Sequence, residues 1–420
     1  MKLVSPASAL IGLVGLLGVL FESGAPALAV DRTAVERQFS QWLDTEIRPE
    51  ALARGITARN FDQALGRVRV SWELPDLVPP GTKPATPEEQ FQAEFRAPAA
   101  YFSGRQLDAV IAGGRQRSSG HAQLLARLER QNGVPGPILL AIWGRESGFG
   151  AAKLRYNAFV VLATKAFMSS RKELFRKELL AALEMVARHG ISIAAMKSSW
   201  AGALGQPQFL PTSYLAHAAD GDGDGKADIW NSDADTLASI ANYLKHYGWV
   251  RDRDWGFEVT VPDGVACHLE GPDRGRRISE WAAMGIARVN GKPFPQNELG
   301  AEGFLMMPAG RHGPAFVVTP NFYVLKQYNE SDLYALFIGH AGDRIAFGGS
   351  GFSAHWQKVD AMKRSEIAEI QQKLEKLGHD VGGVDGLPGF KTRRSIGEWQ
   401  KSRGQAATCF PSEAVTRALR

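Results

Sequence analysis

The feature that most constrains the fold is an apolar run that ends at a carboxylate. The segment VPGPILLAIWGRESGFG (134–150) has no charged residue before Arg145. Pro135 and Pro137 suit the first turn of a helix, where a missing N–H costs little, and Gly148 suits its end. The pattern therefore predicts a helix with an acidic side chain inside an apolar sequence.

That side chain belongs to Glu146, and helical spacing decides which way it points. Leu139, Ile142 and Trp143 precede it by seven, four and three positions, so the carboxylate lies along the apolar stripe. Removal from water raises the pKa of a carboxyl group, and a general acid needs to stay protonated near neutrality. This stretch alone equally allows a structural Glu paired with an Arg or a backbone donor, or a helix that ends before Glu146.

The chain is long enough for a large core and more than one domain, since it has 420 residues with 44% hydrophobic and 22% charged content. Such a composition argues against disorder. The formal net charge of +5 and the pI of about 9.1 suit contact with a polyanionic envelope polymer. Basic residues do not form a run with interleaved aromatic residues, so nucleic acid is not an expected partner.

Residues 1–29 predict a secretory signal peptide. Lys2 precedes the apolar stretch 8–21, which is too short to span a bilayer, and Ala27 and Ala29 form an A-x-A cleavage pattern. An uncleaved membrane anchor fits less well because no longer apolar span occurs, and no nearby cysteine could carry a lipid. The mature protein is therefore expected to be periplasmic, without a membrane anchor, and a monomer is expected.

Cys267 and Cys409 account for both cysteines of the chain. In an oxidising compartment, an exported pair favours a disulfide. Their distance in sequence, and their places in different predicted domains, leave two separate thiols as an equal alternative.

Segment patterns divide the chain into a helical catalytic domain at 30–350, a linker at 351–362 and a small domain at 363–420. Residues 250–320 change to short β-prone pieces between Gly and Pro breaks. This change indicates an insertion or subdomain rather than a separate core.

Two further segments carry groups that suit a sugar. In SSWAGALGQPQFLPTSY (198–214), small residues let the backbone turn close to a ligand, while Gln206, Gln208 and aromatic residues offer amides and flat faces. In TPNFYVLKQYNESDLY (319–334), polar aromatic residues lie beside amides, which suits an acetamido sugar. Without Glu146, the first pattern would favour a tight helix–loop–helix with core aromatics, and the second is a weak signal by itself.

Together, these segments resemble the lytic murein transglycosylase B family. WGRESGFG resembles its catalytic Glu-Ser segment, SWAGALGQPQFLPTSY its Gly-Gln-Phe segment, and NFYVLKQYN its late Asn-Phe-Tyr and Tyr-Asn segments. The resemblance covers roughly residues 33–345. It implies a mainly α fold with a lysozyme-like helical core and a small β-containing insertion. The implied reaction is cleavage of the β-1,4 bond between N-acetylmuramic acid and N-acetylglucosamine in peptidoglycan glycan strands.

The resemblance implies that Glu146 is the catalytic acid/base. It also implies that the substrate groove contains Ser199, Gln208, Phe209, Tyr328, Asn329 and Tyr334. The residue types of the same segments add the candidate substrate-binding residues Ser147, Gln206, Tyr214, Asn321 and Tyr323. One departure is Leu174-Phe175, where relatives carry a Tyr-Phe pair.

The resemblance further implies that one carboxylate suffices. Hydrolytic glycosidases usually need a second carboxylate across the sugar. The other acidic residues of the three segments are Glu330 and Asp332, and we expect both to face solvent. In a lytic transglycosylase, the Glu protonates the leaving oxygen and then deprotonates the sugar's 6-hydroxyl, which closes a 1,6-anhydro ring without a cofactor. A lysozyme-type hydrolase and a non-catalytic wall-binding protein are the alternatives.

The segment DGDGDGKADIWN (220–231) has the spacing of an EF-hand loop. Its predicted ligands are Asp220, Asp222, Asp224, the Lys226 carbonyl, Asp228 and Asn231. Asn231 replaces the usual bidentate Glu, so weak binding is expected. A structural Ca²⁺ is favoured over a merely solvated turn, because closely packed aspartates repel one another. Asp233 and Asp235 are predicted to cap the next helix.

Residues 363–420 resemble a peptidoglycan-binding domain. Ile367, Ile370, Leu374 and Leu377 lie on one helical face, and LGHDVGGVDGLPGFKTRRSIGEWQ matches the pattern of that domain. We therefore expect a small three-helix domain that binds peptidoglycan, with a stabilising helical appendage as the alternative.

Overall fold

The computed structural model describes residues 30–83, 98–102 and 104–419. The predicted signal peptide lies outside these residues. Within them, no helix combines the length and the apolar character needed to cross a membrane. The described chain is mainly helical, as predicted, and its strands form one two-stranded and one five-stranded sheet.

The described chain begins with helices, the last two of which pack against the predicted apolar run. They are α1 (Arg32–Trp42), a π-helical turn (Leu43–Ile47), α2 (Arg48–Ala53), α3 (Ala58–Leu65), α4 (Pro98–Phe102), α5 (Arg105–Gly120) and α6 (Ala122–Asn132).

The apolar run forms the central helix α7 (Gly136–Ser147), as predicted. Pro135 precedes it in an extended conformation, and Gly148 ends it with a left-handed φ of 57°. The side chains from Ile138 to Trp143 are at most 5% exposed. A helix that is apolar on most sides is stable only when other elements cover it.

Later helices supply that cover and complete the core. They are α8 (Ala158–Met168), α9 (Lys172–His189), α10 (Pro211–His217), α11 (Asp233–His246), α12 (Ile278–Ala283), α13 (Pro320–Tyr328) and α14 (Asp332–Phe347). Among them, α11 and α14 pack directly against α7, as does α5. The short strands β1 (Tyr156–Asn157) and β2 (Lys197–Ser198) pair antiparallel and join the start of α8 to the segment 198–214.

The insertion between α11 and α13 forms an antiparallel sheet of order β4-β6-β7-β3-β5. Its strands are β3 (Gly256–Thr260), β4 (Arg276–Arg277), β5 (Ala287–Arg288), β6 (Glu302–Met306) and β7 (Ala315–Val318).

This sheet has two buried faces, because successive side chains of a strand point to opposite sides. Phe316 and Val318 of β7 pack into the helical core. Val317, paired with Leu305 of β6, belongs to a second hydrophobic cluster with Trp281 of α12. The prediction that the insertion has no separate core is therefore wrong.

The C-terminal segment forms the three predicted helices, α15 (Arg364–Lys376), α16 (Phe390–Ser402) and α17 (Glu413–Ala418). Ile367, Ile370 and Leu374 pack in a third cluster, as predicted. Leu377 does not, because α15 ends before it and the side chain is 55% exposed.

The predicted linker has no regular secondary structure, but it is fixed against the helical domain. Phe352 packs edge-on against Phe102 of α4, and Trp356 stacks on the same ring with 5.5 Å between centroids. The backbone N–H groups of Ser353 and Ala354 donate to the carboxylate of Glu258.

Cys267 and Cys409 form a disulfide, which decides between the two alternatives. Both cysteines are fully buried in the second cluster, so the bond joins the insertion to the segment between α16 and α17. An ion pair between Arg394 and Asp273, at 2.7 Å, bridges the same interface. The C-terminal domain is therefore attached to the insertion by a covalent bond and by charge.

Candidate active site

Glu146 lies in the last turn of α7 and is half-buried. The hydroxyl of Tyr334, in the first turn of α14, donates to Glu146 Oε1 at 2.5 Å. The backbone N–H of Tyr334 donates to the capping Ser331 Oγ at 3.0 Å. Both ends of this tyrosine are thus fixed, and its hydroxyl is aimed at the carboxyl group.

Burial raises the pKa of Glu146 from its ordinary value of 4.5 to about 7. The Tyr334 hydroxyl and the positive charge of Arg145 oppose this rise because both stabilise the carboxylate, but burial outweighs them. The protonated and the charged forms of Glu146 are therefore both populated near neutral pH, and the carboxylate has a hydrogen-bond donor once the proton leaves. A group that first gives and then takes a proton needs both properties.

Arg145 is held between two aromatic rings beside the carboxyl group. Its guanidinium carbon lies 4.9 Å from the ring centroid of Tyr101 and 4.8 Å from that of Phe337. Nη2 also donates to the Tyr101 hydroxyl at 2.9 Å. A fixed positive charge therefore adjoins Glu146 without neutralising it through an ion pair.

A layer of aromatic side chains lies behind Tyr334. Tyr328 stacks on it with 6.4 Å between ring centroids and 10° between the planes. Tyr243 and Phe209 continue the layer at 4.9 Å and 6.0 Å from the ring of Tyr328. These four side chains are at most 4% exposed, so they support the site from behind rather than forming an open wall.

Tyr243 is a member of this layer that the sequence patterns did not single out. Its hydroxyl donates to the Gln327 carbonyl, which joins α11 to α13. Burial raises the pKa of Tyr243, and the charges of Tyr247 and Glu146 raise it further. Its only signal in the sequence is a tyrosine on the apolar face of a helix, a pattern that is also typical of core packing.

The segment 198–214 folds into a tight loop, as its small residues predicted. The backbones of Leu204 and Phe209 pair with each other. Between them, Gly205 has a φ of 61° and packs so closely on Ile229 that an added Cβ would lie 2.6 Å from its side chain. Only glycine fits this turn without strain.

The two glutamines of this loop have different surroundings. Gln206 accepts a hydrogen bond from the Trp143 indole at 2.6 Å and donates to Asp233 at 3.3 Å, so it joins the loop to α7 and α11. Gln208 has a left-handed φ of 54°, and its Nε2 donates to Gly205. Its Oε1 is buried and has no partner in the described part of the chain. Such strain and such unpaired buried oxygens are concentrated at functional sites, so Gln208 stays a candidate substrate-binding residue.

Three predicted substrate-binding residues stabilise local turns. Ser147 Oγ accepts from the Gly150 amide at 3.0 Å. Ser199 Oγ accepts from the amides of two residues that follow it, both at 3.2 Å. Asn329 Oδ1 accepts from the Ser331 amide at 3.0 Å. These oxygens already have partners, which favours a structural over a binding role.

Three others have side chains that contact neighbouring elements, and their role in substrate binding stays a prediction. Asn321 is fully buried and bonds to the backbone of Val250 on both its Oδ1 and its Nδ2. Tyr214 is 4% exposed and donates to Ala227, at the acidic loop. Tyr323 packs edge-on against Phe304 of the insertion.

Glu330 is exposed, as predicted, but Asp332 is not. The Asp332 carboxylate lies 2.6 Å from Lys326 Nζ and 3.3 Å from Arg393 Nη2. Burial raises its pKa, yet the two cations outweigh burial and hold the pKa at about 2. Asp332 is therefore a charged structural group at the start of α14 and not a second acid of the site.

The acidic loop brings three carboxylates together, but not the set that EF-hand spacing predicts. Oxygen atoms of Asp220, Asp222 and Asp235 lie within 4.8 Å of one another. The predicted ligand Asp228 instead accepts hydrogen bonds from the backbone and side-chain amides of Asn231. In the same way, Asp224 accepts from the Lys226 amide.

The helix after this loop is capped by a residue other than the ones predicted. Ser232 is the N-cap of α11, and its side chain accepts from the Asp235 amide. The Asp235 carboxylate turns back to the loop, where it accepts from the amides of Gly221 and Asp228 at 2.7 Å. Asp235 is thus a ligand candidate that the linear spacing missed.

Family comparisons cover both domains. Residues 38–343 match the Transglycosylase SLT domain, and residues 363–419 match the peptidoglycan binding domain. The first match spans more than half of the chain. The chain belongs to the SLT transglycosylase family.

Several relatives of this SLT transglycosylase are known. Membrane-bound lytic murein transglycosylase B of Escherichia coli (strain K12) is 33% identical over 220 residues, which cover 51% of this chain and 58% of that relative. This chain thus spans little more than half the length of that relative. SltB3 from Pseudomonas aeruginosa, solved in complex with NAG-anhNAM-pentapeptide, is 38% identical with a TM-score of 0.81, over 91% of this chain and 99% of SltB3.

A second solved relative is more distant. Soluble lytic transglycosylase SltB1 from Pseudomonas aeruginosa is 28% identical with a TM-score of 0.58, over 74% of this chain and 97% of SltB1. The likeness to these structures confirms the predicted fold class.

Proposed function

We propose that this SLT transglycosylase cleaves the β-1,4 bond between N-acetylmuramic acid and N-acetylglucosamine in peptidoglycan and leaves 1,6-anhydro-N-acetylmuramic acid ends. The observation that carries the proposal is the pairing of a half-buried Glu146, whose pKa is raised to about 7, with the hydroxyl of Tyr334. This pair supplies a neutral acid and a donor that stabilises the conjugate base.

Glu146 performs two proton transfers in this reaction. It first protonates the glycosidic oxygen, so that the bond from C1 of the muramic acid to the leaving N-acetylglucosamine breaks. The carboxylate, with the Tyr334 hydroxyl donating to it, then removes the proton of the 6-hydroxyl while O6 forms a bond to C1. No water is consumed, and Glu146 ends in its protonated form.

The surroundings of Glu146 support a lyase rather than a hydrolase. Hydrolytic glycosidases place a second carboxyl group about 5–9.5 Å from the first. Besides Glu146, the segments 134–150, 198–214 and 319–334 contain two acidic residues, of which Glu330 is exposed. Asp332, which precedes Tyr334 by two positions, forms ion pairs with Lys326 and Arg393.

Digestion of purified sacculi tests the function directly. Mass spectrometry of the soluble products is expected to show 1,6-anhydro-muropeptides. Products with only reducing ends would establish a lysozyme-type hydrolase instead. Binding to sacculi without any soluble product would identify a wall-binding protein that is not an enzyme.

We also propose a structural Ca²⁺ in the acidic loop, held by Asp220, Asp222 and Asp235. Carboxylate oxygens are ligands that Ca²⁺ prefers, and the three donors are close enough to share one ion. The set differs from the one predicted by EF-hand spacing, which had Asp224, Lys226, Asp228 and Asn231 in place of Asp235, because the carboxylate oxygens within 4.8 Å of one another are those of Asp220, Asp222 and Asp235. The ion would offset the repulsion among the carboxylates and take no part in the chemistry.

Export to the periplasm and binding of glycan strands by the C-terminal domain complete the proposal. The predicted signal peptide and the buried disulfide both fit an oxidising compartment. Glu146 and Tyr334 come from one chain, so a monomer suffices for the reaction.

A further inference from the structure

Four alternating charges meet where the helical core, the insertion and the C-terminal domain touch. Arg393 of α16 is 4% exposed, and its guanidinium bonds to Glu270 of the insertion at 2.9 Å and 3.1 Å. The same guanidinium lies 3.3 Å from Asp332, which also pairs with Lys326 at 2.6 Å. We call Glu270, Lys326, Asp332 and Arg393 the charge cluster.

The charge cluster holds the two helices that carry the active-site tyrosines. Asp332 is the first residue of α14 and precedes Tyr334 by two positions. Lys326 lies in the last turn of α13, two positions before Tyr328, which stacks on Tyr334. A shift of Asp332 therefore moves the turn that aims the Tyr334 hydroxyl at Glu146.

The charge cluster is not needed to attach the C-terminal domain to the rest of the chain. The disulfide and the ion pair of Arg394 with Asp273 already join that domain to the insertion. Neither of them touches α14, whereas Arg393 does. Buried ion pairs often contribute little net stability compared with apolar packing, so stability does not by itself explain the charge cluster.

We propose that Arg393 and Asp332 are positioning residues for the pair Tyr334–Glu146, so that the C-terminal domain is part of the catalytic apparatus as well as a wall-binding module. The proposal rests on the proposed function of Glu146. It adds that a residue of the C-terminal domain sets kcat through α14, independently of how tightly the protein binds the cell wall.

The test measures kcat and KM of full-length variants on a soluble peptidoglycan tetrasaccharide. Asp332→Asn and Arg393→Gln are expected to lower kcat on the order of tenfold with little change in KM, since small displacements of reacting groups reduce rates strongly. Arg393→Lys should recover part of the loss, because it keeps the charge but not the two-pronged contact. Arg394→Gln is the matched control, since it breaks a neighbouring interdomain ion pair that does not reach α14, and its kcat should equal that of the wild type.

A double-mutant cycle separates positioning from stability. In the background of Tyr334→Phe, which removes the hydroxyl bond to Glu146, Asp332→Asn should cause little further loss of kcat. If a single variant fails to fold, the charge-balanced pair Lys326→Met/Asp332→Asn takes its place in the same cycle. Native kcat in folded variants, or equal losses with and without the Tyr334 hydroxyl, would overturn the proposal. A wild type that releases no anhydro product would instead refute the proposed function.

Discussion

At the scale of single residues, the pKa of Glu146 is determined by the burial of its carboxyl group, by one hydroxyl donor and by one neighbouring cation. Burial favours the acid, while Tyr334 and Arg145 favour the base. The balance leaves both forms accessible near neutral pH, which a single group needs if it is to move a proton twice.

Replacement of Glu146 by Gln tests whether this residue is the catalyst. The amide keeps the size of the side chain and can still accept from Tyr334, but it has no proton to transfer. We expect cleavage of sacculi to fall by at least ~10²–10⁴-fold, the usual contribution of an acid/base group. Binding to sacculi should be retained. A variant that digests sacculi at the native rate would show that the catalyst lies elsewhere.

The raised pKa of Glu146 predicts that Glu146→Gln changes the stability of the protein in a pH-dependent way. The pKa of Glu146 is higher in the folded protein, about 7, than its ordinary value of 4.5. As pH rises between these values, the unfolded chain loses the proton first, so the wild type loses stability that the Gln variant keeps. The melting temperature of Glu146→Gln should therefore exceed that of the wild type increasingly from about pH 4.5 to 7 and by a constant amount above. A difference that stays flat across this range would contradict the raised pKa.

Removal of the Tyr334 hydroxyl should change the pH dependence of the reaction. A hydrogen bond to a charged group is worth about 1.5–3 kcal/mol, so the carboxylate becomes harder to form in Tyr334→Phe and the pKa of Glu146 rises further. We expect the decline of the rate at high pH to move to higher pH and the maximal rate to drop roughly tenfold.

The control for this change is Tyr328→Phe, which removes a neighbouring hydroxyl that donates to the Pro207 carbonyl instead. Its pH–rate profile should keep the native shape. Identical profiles for both variants would mean that the Tyr334 bond does not tune Glu146.

At the scale of elements, the acidic loop and the first turn of α11 share one group of carboxylates. Asp235 belongs to the helix, and Asp220 and Asp222 belong to the loop. An ion between them would fix the loop that follows Gln208 relative to the helix that carries Tyr243.

Calcium is expected to raise the melting temperature relative to EDTA, with an affinity in the extracellular range of about 10⁻⁴–10⁻³ M. Asp235→Asn should abolish this effect, because it removes one of the three converging carboxylates. Asp224→Asn, whose carboxylate bonds to the Lys226 amide, should preserve it. Equal melting temperatures of the wild type in calcium and in EDTA would show that the loop binds no ion.

Local patterns allowed the helix α7 and the direction of Glu146 to be predicted. Both depend on spacing within one short segment, and the helix begins and ends at the proline and glycine signals. The group of converging carboxylates was less predictable, because Asp235 joins it through the fold of α11, outside the twelve-residue pattern. Tyr243 was missed for a similar reason, since its contact with Tyr328 joins distant parts of the chain.

At the scale of the whole molecule, the surroundings of Asp332 show where local patterns fail. Its sequence neighbours suggested an exposed helix start, but its partner Arg393 lies 61 residues later, in another domain. The second hydrophobic cluster, in the insertion, was not predicted for the same reason, because it includes the distant residue Cys409.

The disulfide is expected to hold the C-terminal domain in place. Replacing both Cys267 and Cys409 by Ala should lower the free energy of unfolding by about 2–5 kcal/mol, as for other disulfides that close long loops. Thermal unfolding checks this, with the reduced wild type as the control that should melt near the variant. An oxidised wild type that melts at the same temperature as the variant would show that the bond contributes nothing.

The position of Cys409 also bears on how the protein is made. Its partner is synthesised 142 residues earlier, so the apolar cluster of the insertion lacks Ala407 and Cys409 until almost all of these 420 residues have been made. The backbone at Gly310 lies so close to the Thr408 carbonyl oxygen that there is no room for a Cβ, which shows how closely this late segment packs against the insertion. A chain cut short before residue 407 would therefore lose more than its last domain, because the apolar cluster of the insertion would lack Ala407 and Cys409.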